Sequence, residues 1–258
     1  AKDEKGITVK EAATGIGYNG KMTCGTIGYD AFVELHIEQG PILEQNGVDI
    51  GVVKGVQAIH WIKLIIKGKS GHAGTTPIAA RKDTFYAFSR LSNYARQLCS
   101  EIPGQLITIG SIEISPNAIN VIPERVMATL DIRNPSDEHL AKAIQKLNEF
   151  IAKDDSFQNL KVSQEVLVDV PAVTFDSRVT SSISKSCRSL GYSEMEMFSG
   201  AGHDAQILAT RYPAAMIFIP SKDGISHAVD EYSSPEQIEK GANVLLQSIL
   251  QLDEMGKK

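Results

Sequence analysis

Between residues 55 and 170 the period of the hydrophobic pattern changes in an order that few architectures satisfy. Residues 56–67 alternate, with Ile62, Leu64 and Ile66 on one face and Lys63 on the other, which predicts a long strand. Residues 81–99 carry Phe85, Phe88, Leu91, Ala95 and Leu98 at spacings of three and four, which predicts an amphipathic helix. Two strands are expected over 106–114 and 121–132, separated by Pro116-Asn117, then a helix over 136–154 capped by Ser136, then a strand over 160–170. The order β-α-β-β-α-β is that of a ferredoxin-like sandwich, a complete small domain. Residues 1–54 and 171–258 then flank an insertion and are expected to form one further α/β domain together.

The flanks read as follows. Residues 31–37 form a strand, or a strand-to-helix junction, that carries His36 outward. Gln39-Gly40-Pro41 punctuates it, and residues 42–45 form a short helix ended by Asn46-Gly47. Later come a helix over Ser177–Leu190 stopped by Gly191, a strand over 194–198 and the loop Ser199-Gly200-Ala201-Gly202-His203-Asp204. A short helix over 205–209, a buried strand over Ala214–Ile219 and a closing helix over 235–255 complete the chain. Strands alternating with helices predict a mostly parallel sheet.

Composition narrows the function. Of 258 residues, 42% are hydrophobic and 22% charged, as in ordinary globular chains. Lys and Arg number 26 against 31 Asp and Glu, a net charge of -5, which argues against nucleic acid and against an anionic membrane surface. The apolar runs fit buried strands rather than membrane spans. Cys24, Cys99 and Cys187 are odd in number and far apart, which points to a reducing, cytoplasmic compartment and against a zinc ribbon. The chain begins at Ala1 rather than Met, and its first ten residues are too polar for a signal peptide.

Five places could carry chemistry. Glu34-Leu35-His36-Ile37-Glu38-Gln39-Gly40 sets one imidazole between two carboxylates at a strand end, half of a metal site or simply a His on a surface strand. Gly71-His72-Ala73-Gly74-Thr75-Thr76-Pro77, followed by Arg81 and Asp83, displays His72 on a bend of small residues. It could polarise a carbonyl or be a plain connector, with Thr75 or Thr76 capping the next helix. Asn120 and Arg133 stand at the two ends of one expected strand, an amide and a guanidinium suited to a carboxylate, or a turn Asn and a surface Arg. The glycine-rich loop before His203 could attract an anion, but it lacks a phosphate-loop lysine and a full dinucleotide fingerprint. Gly224-Ile225-Ser226-His227 follows a buried strand and could complete a metal site begun by His36. A serine triad lacks its Gly-x-Ser-x-Gly elbow, and no cysteine sits in a nucleophile motif.

Together these segments, with Asn120-Val121-Ile122-Pro123 and Ser199-Gly200-Ala201-Gly202-His203-Asp204-Ala205, run in order along essentially the whole chain. As a set they resemble the hydantoinase/carbamoylase family of di-metal aminoacylase-like amidohydrolases. That family includes allantoate amidohydrolase, N-carbamoyl-L-amino acid hydrolase and beta-ureidopropionase. The resemblance implies a catalytic α/β domain holding two divalent metal ions (zinc, manganese or nickel) and an inserted ferredoxin-like lid that forms a homodimer. Carried over by position, His36 and His227 match metal ligands, Gln39 and His72 contact substrate, and Asn120 and Arg133 hold its carboxylate. His72 stabilises the oxyanion in the partner subunit's site, and the loop of His203 lines the site. The implied reaction is metal-assisted hydrolysis of a ureido carbonyl in an N-carbamoyl amino acid or allantoate, releasing ammonia and carbon dioxide. The family's His-x-Asp segment, bridging Asp and Glu-Glu pair have no counterpart here, since His36 is the first histidine and no Glu-Glu pair occurs. The chain is therefore expected to be the C-terminal part of such an enzyme, or a degenerate or split polypeptide. A non-catalytic dimerising piece and an aminoacylase or peptidase are the alternatives.

Overall fold

The computed structural model describes residues 2, 3, 5–23 and 25–256; Ala1 and Cys24, both singled out above, lie outside the described residues. The chain divides into two compact units, Ala1–Asp30 and Ala31–Lys258. The first holds one helix, α1 (Val9–Gly15), which the polar sequence did not announce. Thr8 and Glu11 form a capping box at its start, each satisfying the other's backbone amide. No residue of α1 is buried.

In the second unit β1 (Phe32–Ile37) leads to α2 (Ile42–Asn46), which Gly47 ends in the left-handed region at φ 61°. β2 (Ile50–Val56) and β3 (Ala58–Lys67) follow, parted by Gln57. The strand expected from residue 56 thus starts at Ala58. β2 escaped notice because it is almost wholly buried and does not alternate. β4 (Gly71–His72) and a 3-10 turn precede α3 (Thr84–Glu101). Asp83 caps α3, accepting from the amides of Phe85 and Tyr86, so neither Thr75 nor Thr76 is the cap. β5 (Leu106–Ser115), β6 (Val121–Ile122) and β7 (Arg125–Asn134) come next. The single strand expected over 121–132 is split at Pro123, which has no amide to give a ladder. α4 (Asp137–Lys153), capped by Ser136, and β8 (Lys161–Val170) complete the middle stretch.

The strand order β5-β7-β3-β8 is antiparallel throughout. One face buries Ile62, Leu64, Ile66, Ala128, Leu130 and Ile132, which share a core with Phe88 and Leu91 of α3 and Leu140 and Leu147 of α4. Each of the Ile, Leu and Phe side chains among them contributes about 1.5–3 kcal/mol. This is the ferredoxin-like layer expected from the periodicity.

Then come β9 (Val173–Thr174), α5 (Ser177–Leu190), β10 (Glu194–Ser199), α6 (Asp204–Leu208), β11 (Ala214–Ile219) and α7 (Pro235–Gly256). The second sheet has the order β1-β11-β2-β10, with β9 on β2. β1 with β11 and β10 with β2 are parallel, whereas β11 with β2 and β2 with β9 are antiparallel. The sheet is mixed rather than mostly parallel. The connection through the short α2 turns the chain so that β2 runs opposite to β1 and pairs antiparallel with β11, which lies between them. Val52, Val53, Met216 and Ile217 form its core with Val179 and Ile183 of α5 and Val244 of α7. Among the described residues no helix is long and apolar enough to cross a membrane.

Candidate functional site

Parallel pairing sets His36 level with Phe218, near the carboxyl ends of β1 and β11, where α/β folds place their sites. The His36 ring is half-buried rather than turned outward: it meets His203 edge-on at 4.7 Å and Phe218 at 6.4 Å. Its Nδ1 lies 2.8 Å from the Ile37 carbonyl. Donation to that oxygen assigns the proton to Nδ1 and leaves the Nε2 lone pair for a ligand. The flanking carboxylates are engaged elsewhere. Glu34 Oε2 accepts from the Ala205 amide at 2.7 Å, and Glu38 accepts from the Ile42 and Leu43 amides at 2.8 Å each. Both therefore act at helix starts, where exposed amides favour negative charge.

His203 stands at the N-cap of α6 with 3% of its side chain exposed. Its Nε2 is 2.8 Å from Ser199 Oγ and its Nδ1 is 3.8 Å from Glu34 Oε1. Burial, and next the nearby His36, push it down to about 4, so it is neutral at neutral pH. The row Glu34, His203, Ser199 has the order of a hydrolytic triad. Yet Ser199 is buried, and its Oγ also donates to the Ala201 carbonyl and accepts from the Ala201 amide. It is a clasp for the loop, not a displayed nucleophile.

His227 has a left-handed backbone, φ 57°. Glu231 holds that turn, its Oε2 accepting from the His227 amide at 2.9 Å and from Ser226 Oγ at 3.0 Å. Those bonds, the backbone one foremost, keep Glu231 below the usual carboxylate range. Gln39, at φ 58°, donates from Nε2 to Ser226 Oγ at 2.9 Å and stands 3.4 Å from His227 Nε2. The structure thus gathers His36, Gln39, His203 and His227. Among the described residues, however, no group of three or more His, Cys, Asp or Glu is placed to hold one metal ion. Two separate imidazoles, with Glu34, Glu38 and Glu231 all hydrogen-bonded to amides, do not by themselves fit a two-metal centre.

His72 and Asn120 form a second group. His72 pairs with Val121, and the Ala73 amide donates to the Asn120 carbonyl at 3.0 Å. The exposed His72 ring accepts at Nδ1 from the amides of Gly74 (3.0 Å) and Thr75 (3.2 Å), which puts its proton on Nε2, facing outward as a donor. A Cβ on Gly74 would lie 3.3 Å from that ring, so glycine is what lets the turn close on it.

Arg133 is not beside Asn120 in this grouping. Its fork grips Asp131 through Nε (2.8 Å) and Nη2 (2.7 Å), and Nη1 donates to the Gly200 carbonyl at 2.6 Å. The Asp131 bonds raise the Arg133 pKa further, keeping the guanidinium charged. A cleft of about 580 Å³ has Gln39, Gln57, Asp131, Arg133, Phe198 and Gly200 in its wall, so the second sheet's loops and the ferredoxin-like sheet share it. Sequence reasoning gave no role to Asp131, Ser199 or Glu231. Asp131 carried a signal, since residues two apart on a strand share a face.

A family model described as Peptidase family M20/M25/M40 matches residues 8–251. The chain is 35% identical to the N-carbamoyl-L-amino acid amidohydrolase of Geobacillus stearothermophilus, with 97% of this chain and 62% of that protein aligned. It is likewise 35% identical to the allantoate amidohydrolase of Bacillus subtilis, with the same coverage. A hydantoinase/carbamoylase family amidase from Burkholderia multivorans superposes with a TM-score of 0.93 at 38% identity, over 97% of this chain and 61% of that one. The chain thus spans about 62% of the length of the curated relatives it matches.

Proposed function

The chain belongs to the peptidase family M20/M25/M40, and on that footing we propose that it is part of an amidohydrolase cleaving the ureido C–N bond of an N-carbamoyl amino acid or of allantoate. One observation carries the reading. Gln39, three residues after His36 at the end of β1, meets His227 from the far end of the chain, Gln39 Nε2 standing 3.4 Å from His227 Nε2. The names of the two amidohydrolase relatives supply the substrate class.

In this reading residues 1–54 and 171–258 belong to the catalytic domain and residues 55–170 form a lid and dimerisation domain. Arg133, backed by Asp131, holds the substrate carboxylate from this chain's cleft wall, and Asn120, which stands with His72, reaches that carboxylate from the other subunit of the homodimer. His72, the catalytic residue of this chain, donates from Nε2 to the carbonyl oxygen as negative charge grows on it. Its place on the exposed turn suits action across a homodimer, in the partner's cleft. Gln39 and the His203 loop line the substrate's path. The reading carries two divalent metal ions for the whole enzyme, zinc, manganese or nickel. This chain's donors His36 and His227 are only part of such a set, and the chain's own contribution is substrate handling. The free thiols of Cys99 and Cys187 accord with a reducing, cytoplasmic setting.

The lack of a third donor among the described residues favours a second reading for the isolated chain: a dimerising piece without turnover. Intact mass of the expressed polypeptide establishes its length. Ammonia release is then measured with allantoate, N-carbamoyl-L-amino acids, N-acyl amino acids and dipeptides, with each metal supplied. The full-length product is expected to act on one of the two ureido substrates and the 258-residue chain to be silent. Cleavage of acyl or peptide bonds alone overturns the ureido reading, and turnover by the isolated chain overturns the second one.

A further inference from the structure

The turn that displays His72 accounts for its backbone groups in an unusual way. The amides of Gly74 and Thr75 point at the His72 ring, the Thr76 amide donates to the His72 carbonyl, and the Ala73 amide donates to Asn120. The carbonyls of Ala73 and Thr76 turn the other way, and both meet Arg81. Its Nη2 donates to Ala73 at 2.6 Å and its Nε to Thr76 at 3.1 Å. The half-buried Arg81 therefore directs its fork at main chain rather than at a carboxylate. Its place is fixed by the turn that follows Pro77, where its own amide donates to Ile78.

We propose that Arg81 is a positioning residue that sets the protonation pattern of His72. Holding the Ala73 carbonyl fixes the trans peptide whose other end is the Gly74 amide, which therefore points at His72 Nδ1, and holding the Thr76 carbonyl anchors the far end of the turn, so that the Thr75 amide between them is kept on the same nitrogen. A ring nitrogen that accepts two amides cannot carry the proton, so the proton resides on Nε2, the exposed nitrogen. A lysine has one ammonium for two carbonyls and lacks the fork's fixed geometry, so it holds the turn less well.

This deepens the reading of His72 as a donor to substrate, and the test separates the two. The full chain is labelled with 15N-histidine, and ring nitrogens are correlated with ring protons at a pH where the imidazole is neutral; His72 is assigned by loss of its signals in His72→Gln. In the native protein Nδ1 is expected to show the unprotonated signature and Nε2 the protonated one. In Arg81→Met the two nitrogen shifts should converge toward an averaged tautomer, with Arg81→Lys falling between. The signals of buried His60 and His203 report that the fold is intact. If Arg81→Met does not fold, Arg81→Gln, which also cannot bridge both carbonyls, takes its place. A folded Met or Gln variant that keeps the native His72 pattern overturns the proposal. Averaged tautomers without any fall in turnover of the full-length enzyme would count against the donor role of His72 and leave the Arg81 contact standing.

Discussion

Arg133 has three of its donors engaged before any substrate arrives, two on Asp131 and one on Gly200. A substrate carboxylate would meet a guanidinium already aimed and held at the cleft wall, so the cost of ordering it is met in the folded protein. Arg133→Lys keeps the charge but loses the fork. A charge-assisted hydrogen bond contributes about 1.5–3 kcal/mol, so kcat/KM of the full-length enzyme should fall roughly tenfold or more. Steady-state kinetics on the preferred ureido substrate checks this, and unchanged constants would remove Arg133 from the carboxylate clamp. Much of the site was legible at this scale as residue types. His36 stands between two carboxylates near a strand end, and His72 and His227 stand in glycine-containing segments, which makes each imidazole conspicuous. What was not legible is the state of each ring. The His36 Nδ1 bond to a carbonyl and the His72 Nδ1 bonds to two amides are set by backbone directions that no residue name records. The same holds for Glu34 and Glu38, which look like metal carboxylates in sequence and act as amide acceptors in the fold.

At the scale of elements, periodicity decided well where one face is buried and one open, as in β3, β7 and α4. It failed where that asymmetry is missing: β2 is buried along nearly its whole length, and α1 buries nothing. The two helices of the ferredoxin-like layer are also joined by charge. Arg90 in α3 grips Asp154, the residue that ends α4, through Nε and Nη2, the shorter bond being 2.6 Å. The Arg90 bonds above all hold the Asp154 carboxyl down at about 2. A carboxyl depressed in the folded state stabilises fully above its unfolded pKa of about 3.9 and loses that effect as pH falls through its folded value. Asp154→Asn should therefore lower stability at pH 7 by on the order of 1 kcal/mol, solvent screening included. The native and variant stability curves should converge as pH drops from about 4 to about 2. Denaturant titrations across that range check it; a gap that stays constant to the acid end would assign the effect to shape rather than charge.

For the molecule as a whole, the order of elements between residues 55 and 170 was readable because each change of period is local. The pairing of the second sheet was not, because the direction of β2 depends on a five-residue helix and on which neighbours its apolar faces meet. Assembly is harder still to read, since an interface strand and an ordinary edge strand share a sequence pattern. β8 is an edge strand of ten residues, and Val166, Leu167 and Val170 on it are exposed, Val166 by 57%. An edge this long and apolar invites pairing with another chain, and a second copy supplies the same strand under twofold symmetry. The homodimer proposed through residues 55–170 is therefore expected to use β8. Sedimentation at micromolar concentration should give about twice the 28.0 kDa of one chain. Val166→Lys, whose side chain has room to reach solvent, should return the mass to that of one chain and leave the thermal transition of the fold in place. A native chain that sediments as a monomer would remove the dimer, and with it the action of His72 across subunits. A Val166→Lys variant that stays dimeric would keep the dimer and move its interface away from β8.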